Sequence, residues 1–206
     1  MYSRSFTTLM AAALAGSLGV VGPLAPTAVS TVLAQDFRYR VRADNSYAPS
    51  RLYDRVTDST RVAAALSSSS RPFGLGSTAW LMAAFTFSGK ELQTPPAFVA
   101  LSLESWTPAR GGWAFAHPRK LRVETGKTRL ATIPAAGYVK RPVHLFDRWR
   151  REELSFRITP EEFAALAREP ELVMKAGSAT VRLDKRRMER LRALVKEMTV
   201  PDRGSR

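Results

Sequence analysis

Apolar and polar residues alternate with a period of two through much of the chain, the pattern of strands with one face buried. Val99, Leu101 and Leu103 alternate with Ser102 and Glu104 over 97–105, which predicts a strand with those apolar residues inward. Leu154, Phe156 and Ile158 share one face over 153–159. Thr78 to Ser88 is apolar on both alternating faces, Trp80, Met82 and Ala84 against Leu81, Ala83, Phe85 and Phe87, so it reads as a central strand covered on both sides. Leu172–Ala176 and Ala179–Leu183 flank Gly177-Ser178 as a hairpin with Leu172, Met174, Ala176, Ala179, Val181 and Leu183 on one face. Leu121–Val123 and Arg129–Ile133 flank Thr125-Gly126 as a second hairpin. A two-residue loop there would set Arg122 against Arg129, a like-charge cost that a bulge would relieve. Residues 51–66 fit neither period cleanly.

Two helices are marked by their starts. Thr159-Pro160-Glu161-Glu162 supplies an N-cap, a proline at the first helical position and a glutamate at N3, so a short helix runs from Pro160 to about Arg168. The Glu161/Glu162 pair is thereby accounted for without catalysis. Asp184 caps a longer helix to about Met198, with Met188, Leu191, Leu194, Val195 and Met198 as its apolar stripe. Lys185, Arg186, Arg190, Arg192 and Lys196 fall on the opposite, solvated face. The predicted fold class is α+β: mainly an antiparallel sheet or sandwich, with one short helix and a C-terminal amphipathic helix packed on it.

The N-terminus follows a different rule. No charged residue occurs between Arg4 and Asp36, Phe6 to Val21 is an Ala/Leu/Gly/Val run, and Val32-Leu33-Ala34 places compact residues where a signal peptidase cuts. Residues 1–34 therefore read as a cleavable signal peptide. The rival reading, a retained anchor, is weakened by Pro23 and Pro26 within the would-be span. Residues 35–50 read as an N-terminal arm or edge strand, because Phe37-Arg38-Tyr39-Arg40-Val41-Arg42 puts three arginines on one face. Residues 51–198 then form one β-rich globular domain, and 199–206 a tail. The expected destination is periplasmic or extracellular in a bacterial cell. The sequence contains no cysteine, so neither a disulfide nor a lipid-modified N-terminal cysteine can be formed.

The net charge is +14, or +13 without Arg4, and arginine supplies most of the cations. A field of this sign attracts anionic polymers and surfaces. For an exported chain the expected partners are an anionic glycan, lipopolysaccharide or envelope lipid, with nucleic acid the least expected and a protein partner the alternative. A compositional arginine bias explains the same charge without any partner.

Catalytic patterns are sparse. His117 and His144 lack a second histidine or cysteine at ligand spacing, and neither a zinc signature nor a Gly-x-Ser-x-Gly elbow occurs. Gly126-Lys127-Thr128 resembles the tail of a phosphate loop, but Leu121 stands where that motif needs glycine. Asp54 and Asp58 lie among Arg51, Arg55 and Arg61 and read as local ion pairs. No cofactor or metal is implied. Two segments combine aromatic and basic residues in the manner of binding surfaces: Arg148, Trp149, Arg150 and Arg151 as an anion-binding cluster, and Trp106, Arg110 and Trp113 as an aromatic loop. The leading expectation is an exported, non-enzymatic binding or envelope-associated protein. The alternatives are a secreted hydrolase with a dispersed Asp/Glu/His site and a structural interaction module.

Overall fold

Ten antiparallel strands fold into two sheets in the computed structural model, which describes residues 48–67, 78–108, 114–115, 119–143 and 149–200. The segment 1–34 read as a signal peptide, most of the expected arm, His117, His144, Arg110, Trp113, Arg148 and the end of the expected tail lie outside the described residues. The strands are β1 (Ser50–Asp54), β2 (Ser59–Ser67), β3 (Thr78–Ser88), β4 (Val99–Pro108), β5 (Lys120–Thr125), β6 (Thr128–Pro134), β7 (Gly137–Val143), β8 (Trp149–Ile158), β9 (Leu172–Ala176) and β10 (Ala179–Leu183). Helix α1 spans Pro160–Ala167 and α2 spans Lys185–Glu197. The larger sheet has the order β1-β2-β3-β4-β8-β7 and the smaller β10-β9-β5-β6. The α+β, mainly antiparallel fold is the one the alternation predicts.

One core lies between the sheets. It gathers Val62, Leu81, Phe85, Leu101, Leu103, Leu154 and Phe156 from the larger sheet, Leu121, Val123, Leu172, Met174 and Val181 from the smaller, and Phe163, Met188, Leu191 and Leu194 from the helices. β3 is covered on both faces, as its double apolar pattern requires: Met82 and Ala84 pack with Ala63 and Ala65 of β2 on the side away from this core.

Local chemistry fixes the ends of the elements. Thr159 Oγ1 accepts from Glu162 N while the Glu162 carboxylate accepts from Thr159 N, the reciprocal capping box the sequence predicts. Asp184 accepts from Arg187 N at the start of α2. The β1–β2 turn is made by the two aspartates: Asp54 accepts from Val56 N and Thr57 Oγ1, and Asp58, at φ +44°, accepts from Tyr53 Oη.

Three expectations are corrected. In the β5–β6 hairpin the tip is Gly126-Lys127 and not Thr125-Gly126, and this shift sets Glu124 against Arg129, so the like-charge opposition is avoided; the bulge that the sequence allowed follows after Val123 and pairs Arg122 with Thr132. Arg190 is not solvated: it is 8% exposed and its Nη1 donates to the Ala65 carbonyl of β2. Glu104, expected on the outward face, is 2% exposed, because Trp106 and Arg151 on the same half-exposed face pack against its carboxylate and donate to it.

Candidate functional site

β8 carries Arg150 and Arg151 of the basic cluster, and its period of two separates them. Arg150 pairs with Thr107, and Arg151 with Trp106, on opposite faces of the sheet. The Arg148–Arg151 cluster is thus not one basic patch where the structure describes it. On the outer face, Arg151 Nη2 lies 2.8 Å from Glu104 Oε2 and 3.7 Å from Glu153 Oε2. Trp106 Nε1 donates to Glu104 Oε1 at 2.5 Å and Ser102 Oγ donates to Glu153 Oε1 at 2.8 Å. The Trp106 ring meets Trp80 edge-on, with centroids 6.0 Å apart. Trp106 and Arg151 are therefore tied into a network that holds β3, β4 and β8 together.

The inner face of the same strand presents Glu152, which is fully buried. Its Oε2 accepts from Ala114 N at 2.5 Å and from Phe115 N at 3.4 Å, and its Oε1 accepts from Tyr138 Oη of β7 at 2.5 Å. A carboxylate can accept several such bonds, which offsets the cost of its burial. The Ala114–Phe115 segment is thereby pinned to the end of the sandwich, where Ala114 O also accepts from Ser178 N of the β9–β10 turn. Arg119 stacks over the Tyr138 ring, 3.9 Å from its centroid.

Burial, together with the hydrogen bond to Glu152, holds the Tyr138 phenol well above its ordinary value. The unfolded phenol ionises near pH ~10. Above that pH the unfolded chain releases this proton while the folded chain keeps it, so the stabilisation is complete below about pH 10 and is lost as pH rises through the folded value. Urea midpoints should fall as pH rises above about 10, and Tyr138→Phe should lower the neutral-pH midpoint but flatten that fall. Tyr53, raised by its bond to Asp58, contributes in the same direction and leaves a residual slope.

A convergence of cations that the sequence does not display lies on the outward face of the smaller sheet. Register places Thr180, Lys175, Arg122 and Thr132 in one row across β10, β9, β5 and β6, with Arg182, Val173, Glu124 and Arg129 in the next and Lys120 below Arg122. Lys120, Arg122, Arg129, Lys175 and Arg182 are all exposed. Glu124 is the one acidic side chain in these rows. It accepts from Lys175 Nζ at 2.6 Å, and this bond, reinforced by Arg129 and Arg122, holds its carboxyl below the usual range. Lys175 stands directly opposite Arg122, an arrangement that costs stability in an antiparallel pair. Across three strand spacings of ~4.8 Å, the face is about 14 Å wide.

Among the described residues no helix is long and apolar enough to cross a membrane, and no group of three or more His, Cys, Asp or Glu is placed to hold a metal. Comparison with protein-family models, curated proteins and solved structures returned no match.

Proposed function

We propose that the protein is an exported, non-enzymatic binding protein whose basic surface engages an anionic partner of the cell envelope, a glycan, lipopolysaccharide or lipid, and that this surface is the outward face of β10-β9-β5-β6. The observation that carries the reading is the placement of five exposed cations against one carboxylate on that face. Glu124 compensates Lys175 in the free protein, and the remaining cations of these rows leave a net positive field that attracts a polyanion. The strand register fixes the spacing of the Cα positions from which these cations project.

The test separates this face from the charge of the whole molecule. On immobilised heparin the protein should remain bound near physiological salt, where exposed charges are screened beyond about 8 Å. The triple change Arg122→Gln, Lys175→Gln, Arg182→Gln should elute at clearly lower salt. Arg168→Gln, Lys185→Gln, Lys196→Gln removes the same charge from the helices and should elute close to the parent. Equal shifts for the two triples would assign retention to net charge and remove the face from the account. Anionic vesicles and lipopolysaccharide, run in parallel, identify which partner class is held at physiological salt.

A further inference from the structure

The basic face ends at β10, the edge strand of its sheet, and beyond that edge a cleft of about 350 Å³ lies between β10 and the inner face of the larger sheet. This is within the size range of small-molecule sites. Its walls include Ser67 of β2, Ser105 of β4, Thr180 and Arg182 of β10, and Arg187 of α2. Thr180 and Arg182 belong to both surfaces, so the cationic rows continue over the edge into the cleft.

The inner end of the cleft has a defect in the free protein. Ser105 sits on the inward face of β4 between Ala79 of β3 and Glu152 of β8, is 1% exposed, and its Oγ has no hydrogen-bond partner. Buried hydroxyls are nearly always paired, because leaving one unpaired forfeits its hydration. Ser67 Oγ, also on the wall, accepts from Leu81 N and retains a proton to donate.

The outer end is cationic. Arg187 uses Nη1 on the Arg182 carbonyl at 2.8 Å and lies 3.8 Å from the exposed Asp184 carboxylate, which occupies one side of a fork with five donors. The lining gives the cleft a direction. Its charged groups, Arg182 and Arg187, lie at the outer end, whereas the inner end offers the hydroxyls of Ser105 and Ser67, so the anionic part of a ligand is favoured at Arg187. A ligand suited to both ends carries hydroxyls on one side and a carboxylate on the other.

We infer that this cleft receives one hexuronate residue of an acidic glycan, its hydroxyls on Ser105 and Ser67 and its carboxylate on Arg187, while the rest of the glycan lies along the basic face. The inference rests on the reading of that face as the anion-binding surface, and narrows its partner to a glycan.

Calorimetric titration of the purified chain with galacturonate, galactose and inorganic phosphate tests it. Galacturonate should bind and galactose should not. Ser105→Ala should weaken galacturonate about tenfold, the loss of one ligand hydrogen bond, while its thermal midpoint stays level or rises, because a buried unpaired hydroxyl is removed. Arg187→Gln should abolish the preference for the acid over the neutral sugar. Absence of galacturonate binding at millimolar concentration, equal binding of galactose, or an unaltered Ser105→Ala affinity would each overturn the inference. Phosphate binding in place of galacturonate would overturn it in favour of a phosphorylated headgroup. Heparin retention lost in the sheet-face triple without galacturonate binding would sink the cleft and keep the face. Galacturonate binding that depends on Ser105 without heparin retention would support the cleft and sink the face.

Discussion

Glu152→Ala is expected to lower the unfolding free energy by about 3–5 kcal/mol, the largest effect of any single polar substitution considered for this protein. Three donors converge on the carboxylate: Ala114 N, Phe115 N and Tyr138 Oη. Each buried donor left without an acceptor costs about 1–3 kcal/mol, and water entering the vacated space recovers part of the sum. Glu152→Gln should cost less, about 1–2 kcal/mol, because its carbonyl can still accept from Ala114 N while its amide donates to the Tyr138 oxygen. Urea denaturation of both variants at neutral pH reads the difference. A Glu152→Ala loss below about 1 kcal/mol would mean that Ala114–Phe115 is held by its packing and not by the carboxylate.

Gly177→Ala should destabilise by about 3 kcal/mol, far more than the same change at Gly126, where the φ-angle cost of about 1–2 kcal/mol stands alone. The two glycines have nearly the same backbone, φ +55° and +53°. They differ in surroundings. A Cβ on Gly126 meets nothing within 4 Å, whereas one on Gly177 would stand 2.0 Å from Ala114 O and 3.0 Å from its carbonyl carbon. The turn must then move away from Ala114 and give up the 2.9 Å bond from Ser178 N. Equal losses for the two substitutions, measured by thermal or urea unfolding, would show that the turn is not clamped to that segment.

These two residues also show where sequence reading succeeds and where it stops. The β9–β10 hairpin was legible in full, turn and face, because a glycine sits between two short alternating runs and nothing shifts the register. Both helices were legible from their caps, which are local chemistry. β1 and β2 were not. Val62 to Leu66 is apolar at every position because both faces of β2 are covered, so no alternation survives to reveal the strand. β7 leaves no mark in the apolar pattern: Val139 is exposed at 43%, and Pro142, a residue that argues against a strand in the sequence, lies within it.

The site was partly legible. Glu152 and Glu153 are adjacent in the sequence, yet only Glu152 shares parity with Leu154, Phe156 and Ile158, and Ser105 shares parity with Val99, Leu101 and Leu103. Extending the period of two by one step past each apolar run would have placed both on the core side. The basic face had no such signal. Its cations come from 120–129 and 175–182, and only the pairing of β9 with β5 brings them together. No local pattern announces a pairing between strands some 50 positions apart.

The seam between β4 and β8 bears on how the chain reaches this fold. Glu104 and Arg151 stand 47 positions apart, whereas β1–β4, β5–β6, β7–β8 and β9–β10 join neighbours through short connections. The hairpins can close early, but the larger sheet is completed only when the chain returns after building β5 to β7, and non-local pairing of this kind is slow. Until then β4 is an open edge, the feature through which unfinished β proteins capture the wrong partner. A foreign strand docking there would leave Glu104 covered and without its guanidinium, a penalty that only the strand carrying Arg151 removes. The seam between β4 and β8 is therefore matched by charge as well as by shape: a strand without a guanidinium opposite Trp106 would lack the partner that Arg151 gives the buried Glu104 carboxylate.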